Sequence, residues 1–232
     1  DRTEADDPSD VVVPAGAEAF SSGDIGPGET SKGEGERLSM QITPEKIRIL
    51  TQAEADKLLA AGDVEQAAEV QAQTIESLHN WMEAIRTFPK PVIAAVEGAA
   101  VGSGFSLALM CDLIVAADNS VFAMAYSNLG LSPDAGASWN LTRALSRQLA
   151  AELLLLGERI SAQRLYELGV VNRVVDSGHA LSQALALAER VNARAPNVMN
   201  SIKELVNDAS VHSLTEQLAH ERHEFVKNLH HP

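Results

Sequence analysis

Apolar and polar positions along the 232-residue chain change period several times, and each change predicts an element. The valine run at 11–13, stopped by Pro14 and Gly16, predicts a short buried strand. SSGDIGPGETSKGEGERLS (21–39), rich in Gly, Ser and charge, predicts a loop. From Thr43 to Phe88 the pattern is helical. Asp63 and Gln66 have capping-box spacing, and Ile75, Leu78, Met82 and Ile85 recur at three- and four-residue steps beside Trp81. The prolines of FPKP (88–91) end that helix, because proline cannot donate to the backbone ladder.

PVIAAVEG (91–98) is apolar and too short for a helix, so it predicts a second strand. AAVGSG (99–104) predicts a small-residue turn, 105–111 a short buried helix and 112–118 another strand. Residues 136–157 predict one helix closed by Gly157 in a left-handed cap. SAQRLYELG (161–169) and VVNRVV (170–175) add a helix and a strand, and the remainder is helical. Strands alternating with helices indicate the α/β class, with no internal repeat.

Composition narrows the function classes. The length suffices for one domain, or one domain with a helical appendage. A net charge of −14 argues against nonspecific attraction to nucleic acid or anionic membrane. The single cysteine, Cys111, excludes an internal disulfide framework and suits a reducing cytoplasm. No charged-then-apolar leader and no long uncharged span is evident, so a cytoplasmic chain without a membrane anchor is expected. The abrupt entry into the first strand at Val11 leaves either end open to being a fragment of something longer.

One turn has the makings of a site. In EGAAVGSGFSLALMCD (97–112) a strand runs into small residues and a helix starts among them. First-turn N–H groups lack intrahelical partners and carry the positive end of the helix dipole, and glycine admits close approach, so the turn suits an anion or a developing oxyanion. GxxxGxG is weak alone, because small residues also occur wherever a helix packs tightly on a sheet. It is neither a GxGxxG fingerprint nor a GxSxG elbow, and Lys32, followed by Gly33, breaks P-loop spacing. In YSNLGLSPDAGAS (126–138) Asp134 is a lone carboxylate just before a helix. From the residues alone it is either an N-cap or a working acid–base group. HERHE (220–224) lacks the second histidine of HExxH, and His220, His223, His230 and His231 read as polar-helix histidines, with no metal expected.

Four blocks in order, AFSSGDI (19–25), PKPVIAAVEGAAVGSGFSLALMCDLIVAAD (89–118), FAMAYSNLGLSPDAGASWNLTRAL (122–145) and LLGERISAQRLYELGVVNRVV (155–175), resemble the crotonase family of enoyl-CoA hydratases and isomerases. The resemblance implies a crotonase-like α/β spiral of ββα units over 1–175, lacking the family's first strands and carrying a helical insertion near 44–65. It implies a C-terminal helical, trimerising region over 176–232. It further implies an acyl-CoA thioester substrate, with coenzyme A as part of the substrate and no separate cofactor, and a homotrimer or dimer of trimers. The thioester oxygen would sit between the backbone N–H groups of Ser103 and Asp24, and loss of one such donor costs about 3–4 kcal/mol of barrier. The loop holding Asp24 departs from the usual G-x-D-[LI], because Gly23 is followed directly by Asp24 and Ile25.

Hydratases of the family use two glutamates, whose positions here are Ser106 and Tyr126. Neither is a carboxylate, so ordinary hydration should be poor. Asp134 matches the acidic residue of the isomerase branches, and SPDAGASW is most similar to the epoxyphenylacetyl-CoA isomerase and peroxisomal Δ3,Δ2-enoyl-CoA isomerase types. With the resemblance, Asp134 becomes the expected base for moving a proton from C2 to C4. The helix dipole would favour its ionised form and Leu131, Pro133 and Trp139 would oppose it by desolvation. Ser22, Ile25, Gly104, Ser106, Tyr126, Leu131 and Pro133 are the expected substrate-binding residues; for Ser106 and Tyr126 ordinary core and turn packing is the alternative. Glu83 reads as a solvated helix charge, and Lys32, Arg86 and Lys90 are candidate partners for the coenzyme A phosphates. Two other readings stay open: a hydratase, lyase or hydrolase using Asp134 on water or the acyl group, and a non-catalytic acyl-CoA binder. RNA binding does not suit so acidic a surface.

Overall fold

The computed structural model describes residues 11–16, 57 and 59–230. Strand β1 (Val11–Gly16) pairs in parallel with β2 (Val92–Glu97), which pairs in parallel with β4 (Leu113–Ala117), which pairs in parallel with β7 (Arg173–Val175). A second sheet joins β3 (Ala99–Val101), β5 (Val121–Ala123) and β6 (Ile160–Ser161), with β3 and β5 parallel and β6 antiparallel. The helices are α1 (Val64–Thr87), α2 (Ser103–Met110), α3 (Ala137–Ala144), α4 (Arg147–Leu156), α5 (Ala162–Glu167), α6 (Ala180–Asn192), α7 (Pro196–Asp208) and α8 (Leu214–Leu229). Among the described residues, no helix is long and apolar enough to cross a membrane.

Strand β2 explains its own unbroken apolar run. Val92, Ala94 and Val96 face the main core, while Ile93 and Ala95, with Val115 of β4, pack against Ala180, Ala184 and Ala188 of α6. A parallel strand covered on both faces has no polar side to show. The alanines recur every four residues along one face of α6, which lets its backbone settle close to the sheet. Glu97 pins that helix by accepting hydrogen bonds from the amides of Gly178 and Ala180 at 3.2 and 2.8 Å. These amides belong to the start of α6, where a carboxylate is favoured by the dipole.

Several expectations need correction. Ala99–Val101 is a strand, not part of a turn; the turn narrows to Gly102, and α2 starts at Ser103. The predicted helix 136–157 is two helices, because Leu145 is extended and Ser146 caps α4 by accepting from the Leu149 amide. Gly157 does close α4 in the left-handed region at φ 61°. The predicted 43–88 helix is interrupted by a turn at Ala61–Gly62; α1 begins after Asp63, which accepts from the Gln66 amide, while residues 43–56 lie outside the described residues. Met82 and Ile85 are buried in the main core and Ala67 is buried near the start of α1, but Ile75 between them is 39 % exposed, so the predicted apolar stripe is not buried throughout. The second sheet was not foreseen, since strands of two or three residues carry no readable period.

The C-terminal helices are anchored by a buried lysine. Lys203 of α7 donates to the carbonyls of Ile85 and Lys90, each at 3.1 Å, and pairs with Asp112 at 2.8 Å. Asp112 also accepts from the Val92 amide at 2.7 Å, so one charge pair ties α7, the end of α1 and the edge of β2 and β4 together.

Candidate active site

The site forms where β3 runs into α2. Gly102 has φ 57° and ψ −121°, a conformation closed to residues with a β-carbon, and its amide donates to the Ala123 carbonyl at 2.9 Å. That bond fixes the turn to the second sheet. Ser103 follows as the first residue of α2, so the N–H groups of Ser103 and Gly104 stand in a helix turn that offers them no carbonyl partner. Phe105 anchors the helix below, its ring 4.9 Å from that of Phe122 on β5.

Tyr126 covers this turn. A β-carbon built on Gly102 would lie 3.7 Å from the Tyr126 ring and 3.8 Å from its hydroxyl. Beyond Tyr126 a 3-10 turn (Ser127–Leu129) reverses the chain, with the Leu129 and Leu131 amides both donating to the Tyr126 carbonyl. The reversal brings Asp134 back to its neighbour eight residues earlier, and the Tyr126 hydroxyl donates to Asp134 Oδ1 at 2.5 Å. Among the described residues, Oδ2 has no protein partner. Burial, then the hydrogen bond to Asp134, pushes the phenol pKa well above its usual value. The phenol therefore stays protonated at neutral pH and acts as a fixed donor to a half-buried carboxylate.

Asp134 is not the helix cap. Gly136, at φ 74°, occupies the cap position of α3 with no side-chain cap bond, and Asp134 contributes only its backbone carbonyl to the Ala137 amide at 2.9 Å. Between them Ala135 sits at φ 49°, an uncommon conformation for a residue with a side chain. The Ala135 amide donates to Nε2 of His79 on α1 at 3.3 Å. The sequence reading missed His79; only its place next to Leu78 and one turn before Met82 could have pointed to it.

The remaining expected site residues divide. Ser106 is fully buried beside the Tyr126 phenol, close enough to influence it, yet its hydroxyl has no partner in hydrogen-bond geometry among the described residues. Leu131 is 60 % exposed, and Pro133 is exposed. The guanidinium groups of Arg86 and Arg143 each lie over the Trp139 ring, 4.3 and 3.8 Å from its centroid. Burial pulls the Arg86 pKa down. Glu83 is exposed, as a solvated charge should be, and Lys90 is exposed too. Ser22, Asp24, Ile25 and Lys32 lie outside the described residues. A cavity of about 420 Å³ lies elsewhere, among Arg86, Trp139, Asn200, Lys203 and Asn207, and includes none of Ser103, Ser106, Tyr126 or Asp134.

A short strand feeds a glycine-kinked helix start, and a loop carrying one acidic residue folds back over that turn through Tyr126. In comparison with known sequences, residues 45–232 match the family described as enoyl-CoA hydratase/isomerase, and the chain belongs to that family, with its crotonase fold. It is 38 % identical over 150 residues to a 1,2-epoxyphenylacetyl-CoA isomerase of Escherichia coli K12, covering 64 % of this chain and 57 % of that protein. It is 37 % identical over 142 residues to a 2,3-dehydroadipyl-CoA hydratase of the same organism, covering 61 % and 56 %. The chain thus spans little more than half the length of these curated relatives. Among solved structures, an enoyl-CoA hydratase from Polaromonas sp. JS666 is 63 % identical with TM-score 0.72, covering 76 % of this chain and 68 % of that one.

Proposed function

We propose that the protein acts on an enoyl-CoA thioester and moves its double bond by proton transfer, with Asp134 as the base. One observation carries this reading. The Asp134 carboxylate accepts from the same Tyr126 hydroxyl that lies 3.8 Å from a β-carbon built on Gly102, and the two positions where a hydratase of the family has glutamates are Ser106 and Tyr126.

In this reading the thioester oxygen accepts from the backbone N–H of Ser103 and from that of Asp24. Asp134 takes a proton from C2, the electron pair moves into the thioester as an enolate stabilised by those donors, and the protonated carboxyl returns a proton to C4. Bond order shifts from 3,4 to 2,3 and no other reactant is consumed. Tyr126 fixes one carboxylate oxygen and leaves the other for the substrate. Ser22, Ile25, Gly104, Leu131 and Pro133 border the acyl chain, while the fully buried Ser106 stays beside the Tyr126 phenol. Coenzyme A enters as part of the substrate. A self-assembled trimer is also proposed, supported by the exposed Leu214, Leu218, Phe225 and Leu229 of α8.

A hydratase reading is favoured by the names of the Polaromonas and dehydroadipyl-CoA relatives; there Asp134 would activate water. Parallel incubation with a 3-enoyl-CoA and with crotonyl-CoA separates the two. Double-bond migration without rapid hydration supports the isomerase, and rapid hydration without migration overturns it.

A further inference from the structure

The geometry points to a binding site for one divalent transition-metal ion of the zinc class, formed by Asp208, His212 and His220 at the tip of the α7–α8 hairpin. Ligand atoms of these three side chains lie within 4.8 Å of one another. The sequence reading grouped His220 with His223, His230 and His231 along one helix, but the fold pairs it with residues from the preceding turn and helix instead.

Local structure explains the convergence. Asp208 ends α7, and its carbonyl accepts from the amides of both Val211 and His212 at 2.9 Å, which folds the connection back over the helix end. Ser213 and Glu216 then form a reciprocal capping box that starts α8 in the return direction. Six residues into α8, His220 comes level with Asp208. Gln217, one turn earlier, donates to the Leu205 carbonyl at 3.0 Å and holds His212 through Nδ1 at 3.2 Å. That is the kind of outer contact that orients a metal-bound imidazole.

One pair already has the spacing of two ligands on one ion. His220 Nδ1 stands 3.3 Å from Asp208 Oδ2. Two ligand atoms each about 2.0–2.1 Å from a tetrahedral zinc are about 3.3–3.4 Å apart. His220 Nδ1 is shielded from solvent beside the Asp208 carboxylate and lacks a partner in hydrogen-bond geometry among the described residues, so this ring nitrogen is left for an ion. The His212 and His220 rings meet edge to face with centroids 5.8 Å apart, so they do not stack. Two imidazoles and one carboxylate suit zinc, cobalt or nickel over calcium or magnesium, which prefer all-oxygen sets. A second grouping of Glu204, His220 and Glu224 is the weaker one, because Glu224 is already occupied by Ser201 and by Lys227 at 2.9 Å. Bound there, the ion staples the end of α7 to α8.

Titration of the full chain with Co²⁺, followed by its visible absorption, tests the site. The expected result is a saturating band at about one equivalent per chain. It should be lost in Asp208→Asn and His212→Ala and retained in the His223→Ala, His230→Ala, His231→Ala triple variant. Because His212→Ala could disturb folding, thermal unfolding with and without Zn²⁺ accompanies it. Zn²⁺ should raise the midpoint of the wild type and the triple variant and leave that of Asp208→Asn unmoved. Absence of a band with the wild type overturns the proposal. So does a band that survives Asp208→Asn and His212→Ala but disappears in the triple variant, or an equal Zn²⁺ shift in Asp208→Asn.

Discussion

Replacing Asp134 with asparagine separates chemistry from architecture at a single position. Asparagine keeps an oxygen at Oδ1, so the Tyr126 hydroxyl, now 2.5 Å away, still has an acceptor. The backbone carbonyl that accepts from the Ala137 amide is untouched. What changes is that a charge-assisted hydrogen bond becomes a neutral one, a loss of about 1 kcal/mol. For a chain of this size that lowers the unfolding midpoint by about 2–4 °C. The base, by contrast, is gone. General base catalysis contributes about 10²–10⁴-fold, or about 3–5 kcal/mol of barrier, so kcat on a 3-enoyl-CoA should fall by that factor with little change in KM. Appearance of the conjugated thioester, followed by ultraviolet absorbance, gives the rate, and thermal unfolding gives the stability. A kcat fall paired with a small midpoint shift supports the assignment. Wild-type migration rates in Asp134→Asn would refute it, and the oxyanion turn would then need a different base.

Other outcomes follow from the same coordinates. Lys203→Met should destabilise the protein by about 3–5 kcal/mol in urea unfolding, since it strands Asp112 and leaves two carbonyls without their cation. Gly136→Ala should cost about 1–3 kcal/mol and slow catalysis, because φ is 74° there and the new β-carbon would come 2.5 Å from Met110 Cε. Burial pushes the Cys111 thiol up to about 12, so a thiol reagent at pH 8 should leave the native protein unmodified and react fully once it is unfolded.

Much of the main sheet was legible before any coordinates. The run 92–97 is apolar throughout because β2 is covered on both faces, and such a run, stopped by proline and glycine, reads the same in sequence and in space. The small-residue turn was legible for a similar reason: only glycine tolerates the Gly102 backbone, so the constraint is written in one letter. The break at Leu145–Ser146 was less visible, since Ser146 looks like any helix-surface serine until its hydroxyl is seen to take the Leu149 amide.

The sequence by itself determined the α/β class, from the order of its periods, and the family, from four blocks in order, while the glycine turn and the lone aspartate show in residues close together in the chain. Tertiary structure decided the partners. Tyr126 meets Asp134 only because a 3-10 turn reverses the chain between them, and His79 reaches Ala135 across 56 residues. Lys203 closes a charge pair with Asp112, and Asp208, His212 and His220 converge only when two helices fold back on each other. Periodicity reports which side of an element is buried. Which residue from another element lies opposite is fixed by how the sheet and helices stack, and that is where the carboxylate acquired its donor and the histidine its aspartate.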